Sequence, residues 1–284
     1  MGISLVYTFI PIALPHGETA VSQNDSGRKV GIGELIMSMN SSAAVSKSNF
    51  NLPVIRRGVG VTYPKGYVIK SIEEQVAILM GFFPKELEGA KYDKDIINNY
   101  QLPNNSEGWF AIPDWNSIAS TYFEATNKVL TAISFTRKFC NHLKVLCGEN
   151  QVSNFCLKQN DKTLQMIQKI KEHQKNNKII VFPCQFGRRY QGRSVYLVRK
   201  TIENKKKEFG LGLFEVACLL LTHPEREKRW QQLHVDCPGS DVIDINNQFK
   251  NAPYFCFYSR LNLEATWIKN SDIKFGSATG FLYD

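Results

Sequence analysis

The segment 210–221 constrains the fold most, because its sequence, GLGLFEVACLLL, is apolar almost throughout. An element of this composition has no polar face to leave in water, so it must be buried on all sides. Its richness in leucine and alanine favours a helix over a strand. The rest of the chain must enclose this segment, and an apolar fraction of 43% is sufficient for a core of that size.

Strand patterns lie at both ends of the chain. Apolar residues alternate over 3–9, residues 54–69 predict a hairpin that turns at 64–66, and 255–267 predict a strand pair or one bent strand. Period-two alternation of β-branched and aromatic residues is typical of half-buried strands. We therefore expect an α+β fold, with antiparallel strands at both ends of the chain around a central helical segment.

Helices are indicated by caps and apolar spacing. Ser71 and Glu74 form a capping box at the start of one helix. A much longer helix is predicted for 114–147, with a break near 134–135 as an alternative, and a lysine-rich helix for 161–176.

The polar stretch 86–108 predicts a domain boundary. Residues 1–108 would form an N-terminal α+β region with the hairpin and the capped helix. Residues 109–284 would hold a helical basic region followed by C-terminal strands.

Positive charge is concentrated in one quarter of the chain. Residues 137–207 contain seventeen Lys and Arg but only four Asp and Glu, a surplus of thirteen, whereas the whole chain carries a net charge of +9. Such a segment indicates a polyanion as partner, because Lys and Arg release condensed counterions when they bind phosphates. A solvated helix surface is the alternative interpretation of the same lysines.

The stretch 184–196 interleaves glycine, arginine and aromatic residues. Arginine suits bidentate phosphate contact, and exposed aromatic rings can stack on unpaired bases. We therefore predict a protein that binds nucleic acid, with single strands slightly favoured, through its backbone and without sequence specificity. The predicted contact residues are Arg188, Arg189, Arg193, Tyr190, Phe186, Tyr196, Arg199, Lys200, Lys169 and Lys175.

Two alternatives remain open. His234 and Asp236 would share one face of a strand, with His223 and Cys237 nearby. This group could run acid–base chemistry on a phosphodiester, bind a divalent metal or form a Cys–His nucleophile pair. Structural capping and core packing are the simpler interpretation. The second alternative is a protein-interaction module for an acidic partner.

Other classes are disfavoured by composition. The seven cysteines include no CxxC pair, so no zinc framework, metal or cofactor is predicted. The apolar N-terminus has no preceding basic residue, and the longest other apolar run is shorter than the roughly 20 residues of a membrane span. We expect a reducing, cytoplasmic location without membrane association, and the oligomeric state is left open.

Overall fold

The computed structural model describes residues 21–23, 29–31, 61–143, 156–244 and 247–283. The helices in these ranges are α1 (Ile72–Phe82), α2 (Ile96–Asn99), α3 (Trp115–Ile118), α4 (Tyr122–Thr136), α5 (Asp161–His173), α6 (Val195–Glu203) and α7 (Leu213–Thr222), with 3-10 turns at Arg188–Tyr190 and Pro224–Arg226. The strands are β1 (Val21–Gln23), β2 (Lys29–Gly31), β3 (Gly108–Pro113), β4 (Phe139–Asn141), β5 (Leu157–Gln159), β6 (Ile179–Gln185), β7 (Glu208–Gly210), β8 (His234–Asp236), β9 (Ser240–Ile243), β10 (Phe249–Phe257), β11 (Leu261–Trp267), β12 (Phe275–Ser277) and β13 (Thr279–Phe281).

A four-stranded antiparallel sheet lies inside the hydrophobic core. Its strand order is β3-β6-β13-β7, and every residue of these strands is buried. Phe110 of β3 pairs in register with Phe182 of β6. Continuous apolar runs such as the start of β6 suit a sheet that is covered on both faces. The end of β6 leads directly into the arginine-rich turn at Arg188–Tyr190.

A second, mixed sheet follows the path β12-β8-β10-β11-β4, and β9 joins β10 to β5. The hairpin of β10 and β11 is the strand pair predicted for 255–267. Side-chain alternation places Val235, Phe255 and Leu263 in the main core. His234 therefore lies on the opposite face of this sheet.

Helix α7 is buried along its whole length, as its sequence requires. None of its ten residues exposes more than 1% of its surface, and it packs against α4, α1 and β3. The buried helix predicted within 210–221 is confirmed.

The predicted α+β class is also confirmed, because strands flank a central helical region. The capping box has both of its hydrogen bonds: the N–H of Glu74 donates to Ser71 Oγ at 3.2 Å, and the N–H of Ser71 donates to Glu74 Oε2 at 2.9 Å. Among the described residues, no helix combines the length and the apolar character needed to cross a membrane.

The single long helix predicted for 114–147 is wrong, whereas the alternative of a break near 134–135 agrees with a helix end at Thr136. Residues 144–147 of the predicted helix lie outside the described ranges. Helices α3 and α4 and strand β4 take its place, and the backbone is extended at Ala119 and Arg137. Thr121 starts α4 by accepting the N–H of Glu124 at 3.2 Å. The guanidinium of Arg137 donates to main-chain oxygens that follow α7. This long-range contact ends the helix, and the apolar spacing of the sequence does not reveal it.

Some predictions fall partly outside the described ranges. The strand at 3–9 and the first half of the hairpin at 54–69 lie there, and residues 67–69 are not a strand. One hydrophobic cluster contains side chains from both α1 and β3, so the two sides of position 108 share a core. The division into 1–108 and 109–284 stays a prediction.

Gly187 and Gly276 set the position of the turn after β6. Gly187 has φ +109°, a conformation that favours glycine, and a Cβ on Gly276 would overlap the Gly187 carbonyl oxygen. We expect Gly276→Ala to lower the free energy of unfolding in urea by about 1–3 kcal/mol.

Gly81→Ala is the matched control, because Gly81 lies in α1 with open space around it. Alanine should stabilise the helix there by about 0.5–1 kcal/mol. A Gly276→Ala protein with the stability of the wild type would contradict the close backbone packing at this turn.

Candidate nucleic-acid interface

The segment 187–193, which we call the arginine loop, carries three of the predicted contact residues. Gln185 fixes its start, because its side-chain oxygen accepts the N–H groups of Gly187 at 2.6 Å and of Arg189 at 3.3 Å. The side-chain nitrogen of Gln185 donates to the carbonyl oxygen of Ser277 at 2.9 Å. The loop is therefore tied to β12 rather than free to move.

Three cations surround the ring of Tyr190 in this loop. The guanidinium carbons of Arg189 and Arg193 lie 5.4 and 5.8 Å from the ring centroid, and Lys205 Nζ lies 5.8 Å from it. The Tyr190 hydroxyl donates to Glu208 Oε1 at 2.8 Å. We call these five residues the Tyr190 cluster. The ring attracts each cation, but the cations repel one another, so the cluster favours an added anion.

Glu208 supplies the carboxylate of the Tyr190 cluster. Its side chain is 5% exposed and forms ion pairs with Arg189 Nε at 3.2 Å and with Lys205 Nζ at 2.8 Å. Thr279 also donates its hydroxyl to this carboxylate, at 3.1 Å. One negative charge thus serves two cations, while Arg193 has no carboxylate partner among the described ion pairs. The cluster keeps a surplus of positive charge.

Lys162 adds a further cation beside the cluster. Its ammonium donates to the carbonyl oxygens of Ile202, of Glu203 at 3.2 Å and of Lys205 at 2.9 Å, at and beyond the end of α6. Burial lowers the pKa of Lys162, Glu208 and Glu203 raise it, and the charge of Lys205 lowers it again. Lys162 thus places its ammonium against the backbone of Lys205, whose side chain belongs to the cluster.

Solvent reaches the outer side chains of this region. Arg188 is exposed, with its guanidinium 5.9 Å from the ring centroid of Tyr63, and Arg193 is half-buried. Tyr196, in the first turn of α6, is 37% exposed and has Lys269 Nζ at 5.5 Å from its ring centroid. These basic and aromatic groups could contact a polyanion without any rearrangement of the core.

Two other rings predicted to stack on bases have no accessible face. Phe186 is fully buried against Phe110 and Tyr67, with centroid distances of 5.6 and 6.5 Å, and Tyr190 is 2% exposed. Stacking of a base on either ring conflicts with this burial. Phe186 is a core residue, and Tyr190 organises the cations around it.

Arg199 and Lys200 already have partners. Arg199 donates to Asp241 at 2.6 Å and to two main-chain oxygens at 2.8 Å, which clamps α6 to β9. Lys200 pairs with Glu203 at 3.0 Å on the surface, where solvent and salt screen the interaction. Lys200 is therefore available to an anion at little cost, and Arg199 is not.

Lys169 and Lys175 are exposed on another element. Lys169 lies on α5, which packs against β7 and β6, and Lys175 follows the end of that helix with φ +56°. No described contact joins either lysine to the Tyr190 cluster. Their part in the interface stays a prediction.

The structure adds Glu208, Lys205 and Lys162 to the site. The lysine run at 205–207 is a visible signal for Lys205. No local pattern indicates Glu208 or Lys162, because sheet pairing and helix packing bring them to the arginine loop.

The residues of the enzyme hypothesis are closed to solvent. His223, His234, Asp236 and Cys237 are each at most 1% exposed. His223 Nε2 accepts the N–H of Lys70 at 3.1 Å, and burial lowers the pKa of His223 to about 4. Burial raises the pKa of the Cys237 thiol. Both shifts oppose a thiolate–imidazolium pair.

His234 is fixed by a buried carboxylate. Its Nδ1 lies 2.6 Å from Glu227 Oε1, and its ring packs between Trp230 and Phe275, with both centroid distances 5.0 Å. His234 and Asp236 share one face of β8, as alternation requires. Within the ranges that the structure describes, no three His, Cys, Asp or Glu side chains are grouped to hold a metal ion.

Glu215 is a buried carboxyl at the start of α7. It accepts from Gln159 Nε2 at 2.8 Å and from the Tyr122 hydroxyl at 3.3 Å. Burial raises its pKa to about 7, although these hydrogen bonds act in the opposite direction. A Cβ on Gly212 would overlap this group, so the carboxyl fills the space that the glycine leaves. Helix capping accounts for it without a catalytic role.

The pKa of Glu215 is about 7 in the folded protein and near its ordinary value of 4.5 in the unfolded chain. The folded protein therefore binds the proton of the Glu215 carboxyl more tightly than the unfolded chain does. Wild-type stability should therefore fall relative to Glu215→Gln as pH rises from 4.5 to 7. The difference in the free energy of unfolding between wild type and Glu215→Gln should change by about 3 kcal/mol over this pH range.

Urea unfolding at a series of pH values measures this difference. Glu88→Gln, which removes an exposed carboxyl, is the matched control. A constant difference for Glu215→Gln would contradict the raised pKa.

Comparison with protein-family models, with curated proteins and with solved structures finds no match for this chain. Its function must therefore be inferred from its own side chains.

Proposed function

We propose that this protein binds nucleic acid by contacting the phosphate backbone with the arginine loop and the Tyr190 cluster. One observation carries this proposal: Arg189, Arg193 and Lys205 converge on the ring of Tyr190, with Glu208 as their shared carboxylate. A folded protein holds like charges together at a cost in stability. A phosphodiester would offset that cost by placing negative charge beside the least compensated cations.

Arg193 and Arg188 are the best candidates for direct phosphate contact. Both reach solvent, and neither forms an ion pair among the described residues. A guanidinium presents a planar pair of donors that matches two phosphate oxygens. Arg189 instead holds the buried carboxylate of Glu208, so it positions the loop.

Backbone contact of this kind gives affinity without reading bases. The buried His234 and Asp236 offer no reacting surface that would favour the alternative of a phosphodiester-cleaving enzyme. An acidic protein partner is the competing outcome of the binding experiment below.

We expect Arg188→Ala/Arg193→Ala to weaken binding of a fluorescein-labelled oligonucleotide on the order of tenfold at low salt. The slope of log K against log[salt] should become shallower by about 1.5, since two phosphate contacts are lost. Fluorescence anisotropy at several salt concentrations measures both quantities.

Lys85→Ala/Lys91→Ala is the matched control, because it removes the same formal charge from exposed residues after α1. It should change the slope little. If both double variants lost affinity for the oligonucleotide equally, the loss would follow from net charge alone and would contradict a defined site. Absence of wild-type binding at low salt would overturn the proposed function and leave the acidic protein partner.

A further inference from the structure

A stacked aromatic pair lies outside the basic segment 137–207. The rings of Trp230 and Tyr258 are nearly parallel, with an interplanar angle of 20° and centroids 4.6 Å apart. Tyr258 is 39% exposed, and Trp230 is half-buried beneath it. Tyr258 therefore stacks on Trp230 and still reaches solvent. Such a ring is an available stacking surface.

The pair has a rigid support. Trp230 packs on the ring of His234, with centroids 5.0 Å apart, and Glu227 fixes His234 through a contact of 2.6 Å. Lys274 Nζ lies 4.3 Å from the centroid of Trp230. Tyr258 follows β10 in the hairpin to β11, so both sheet and turn hold its backbone. Little side-chain freedom is left to lose when a ligand stacks there.

The surroundings of this pair are basic. Lys228, Arg229 and Arg260 are exposed, and within the described ranges none of them forms an ion pair. Two carboxylates also act on Tyr258, those of Glu264 and Asp272. Glu264 accepts the hydroxyl of Tyr254 at 2.5 Å, and Asp272 accepts the N–H of Lys274 at 2.8 Å. The charge therefore fits an anionic ligand with a flat ring, which is the chemistry of a nucleotide.

The aromatic pair and the arginine loop share the segment 273–275. Gln191 Nε2 donates to the carbonyl oxygen of Ile273 at 3.0 Å, and the N–H of Gly192 donates to that of Phe275 at 2.8 Å. Lys274, between these two anchors, reaches Trp230. The arginine loop and the aromatic pair therefore contact the same three-residue segment.

We propose that an unpaired base of a single-stranded nucleic acid stacks on Tyr258, while Lys228, Arg229 and Arg260 neutralise the adjoining phosphates. This inference rests on the proposed function, to which it adds the form of the strand. A base inside a duplex has both faces covered by its neighbours, so only a single strand can present a free base face for stacking. Stacking tolerates any base, and no sequence preference is expected.

The decisive comparison uses oligothymidylate and an abasic oligonucleotide of equal length, which has the same phosphates but no bases. Wild-type protein should bind oligothymidylate about tenfold more tightly than the abasic strand. Tyr258→Ala should bring this ratio close to one, and Tyr258→Phe, which keeps the ring, should preserve it. Oligouridylate and a DNA duplex, measured in parallel, distinguish RNA from DNA and single from double strands.

Quenching of tryptophan fluorescence provides a second readout in the protein with Tyr258 intact. Oligothymidylate should quench wild-type emission, and most of that quenching should be lost in Trp230→Phe. The abasic strand should quench little. This measurement decides the matter even where Tyr258→Ala fails to fold.

The outcomes separate the two proposals. Equal, salt-dependent affinity for the abasic strand and oligothymidylate would overturn stacking and leave phosphate binding intact. Tighter binding of the duplex than of the single strand would also overturn stacking. Absence of binding to every strand at low salt would overturn both proposals.

Discussion

The complete burial of α7 is the constraint on which the rest of the structure depends. A helix with neither end exposed to solvent needs hydrogen-bond partners inside the protein for its terminal N–H and C=O groups. At its start, Ser240 Oγ accepts the N–H of Leu213 at 2.8 Å, and the Tyr122 hydroxyl accepts that of Phe214 at 3.1 Å. Near its end, Arg137 donates to the carbonyl oxygen of Leu220 at 3.2 Å. Residues of α4, of β9 and of the turn before β4 are thus all hydrogen-bonded to this one apolar helix.

The same requirement explains why the sequence predicts this part of the fold well and its surroundings less well. Segment 210–221 shows its burial through composition alone. For Arg137 the sequence predicts the wrong environment, because a charged residue in a predicted helix is expected to be exposed to solvent. Its guanidinium is instead half-buried against three main-chain oxygens, and burial lowers the pKa of Arg137 to about 10. The helix predicted through 114–147 is interrupted at Ala119 and again at Arg137, where a long-range contact outweighs local helical preference.

Charge along the sequence overstates the free charge on the surface. Of the seventeen basic residues in 137–207, Arg137 and Lys162 serve backbone carbonyls and Arg199 holds Asp241. Glu208, the first residue past that segment, compensates Arg189 and Lys205. The sequence draws attention to the arginine loop because the unusual composition of that loop is local. It could not separate structural from available cations, since the distinction depends on partners supplied by sheet pairing.

Recognition of a flexible strand requires both charge and a surface for its bases, and these two features come from different parts of the chain. The arginine loop follows β6, whereas Trp230 precedes β8 and Tyr258 follows β10. The two rings are 28 positions apart in the sequence, and neither has a local pattern that distinguishes it from a core aromatic. Pairing of β12 with β8 brings both parts to the segment 273–275. In the binding mode that we propose, charge alone would hold any polyanion, and stacking on the exposed ring would add a preference for a polyanion that carries bases.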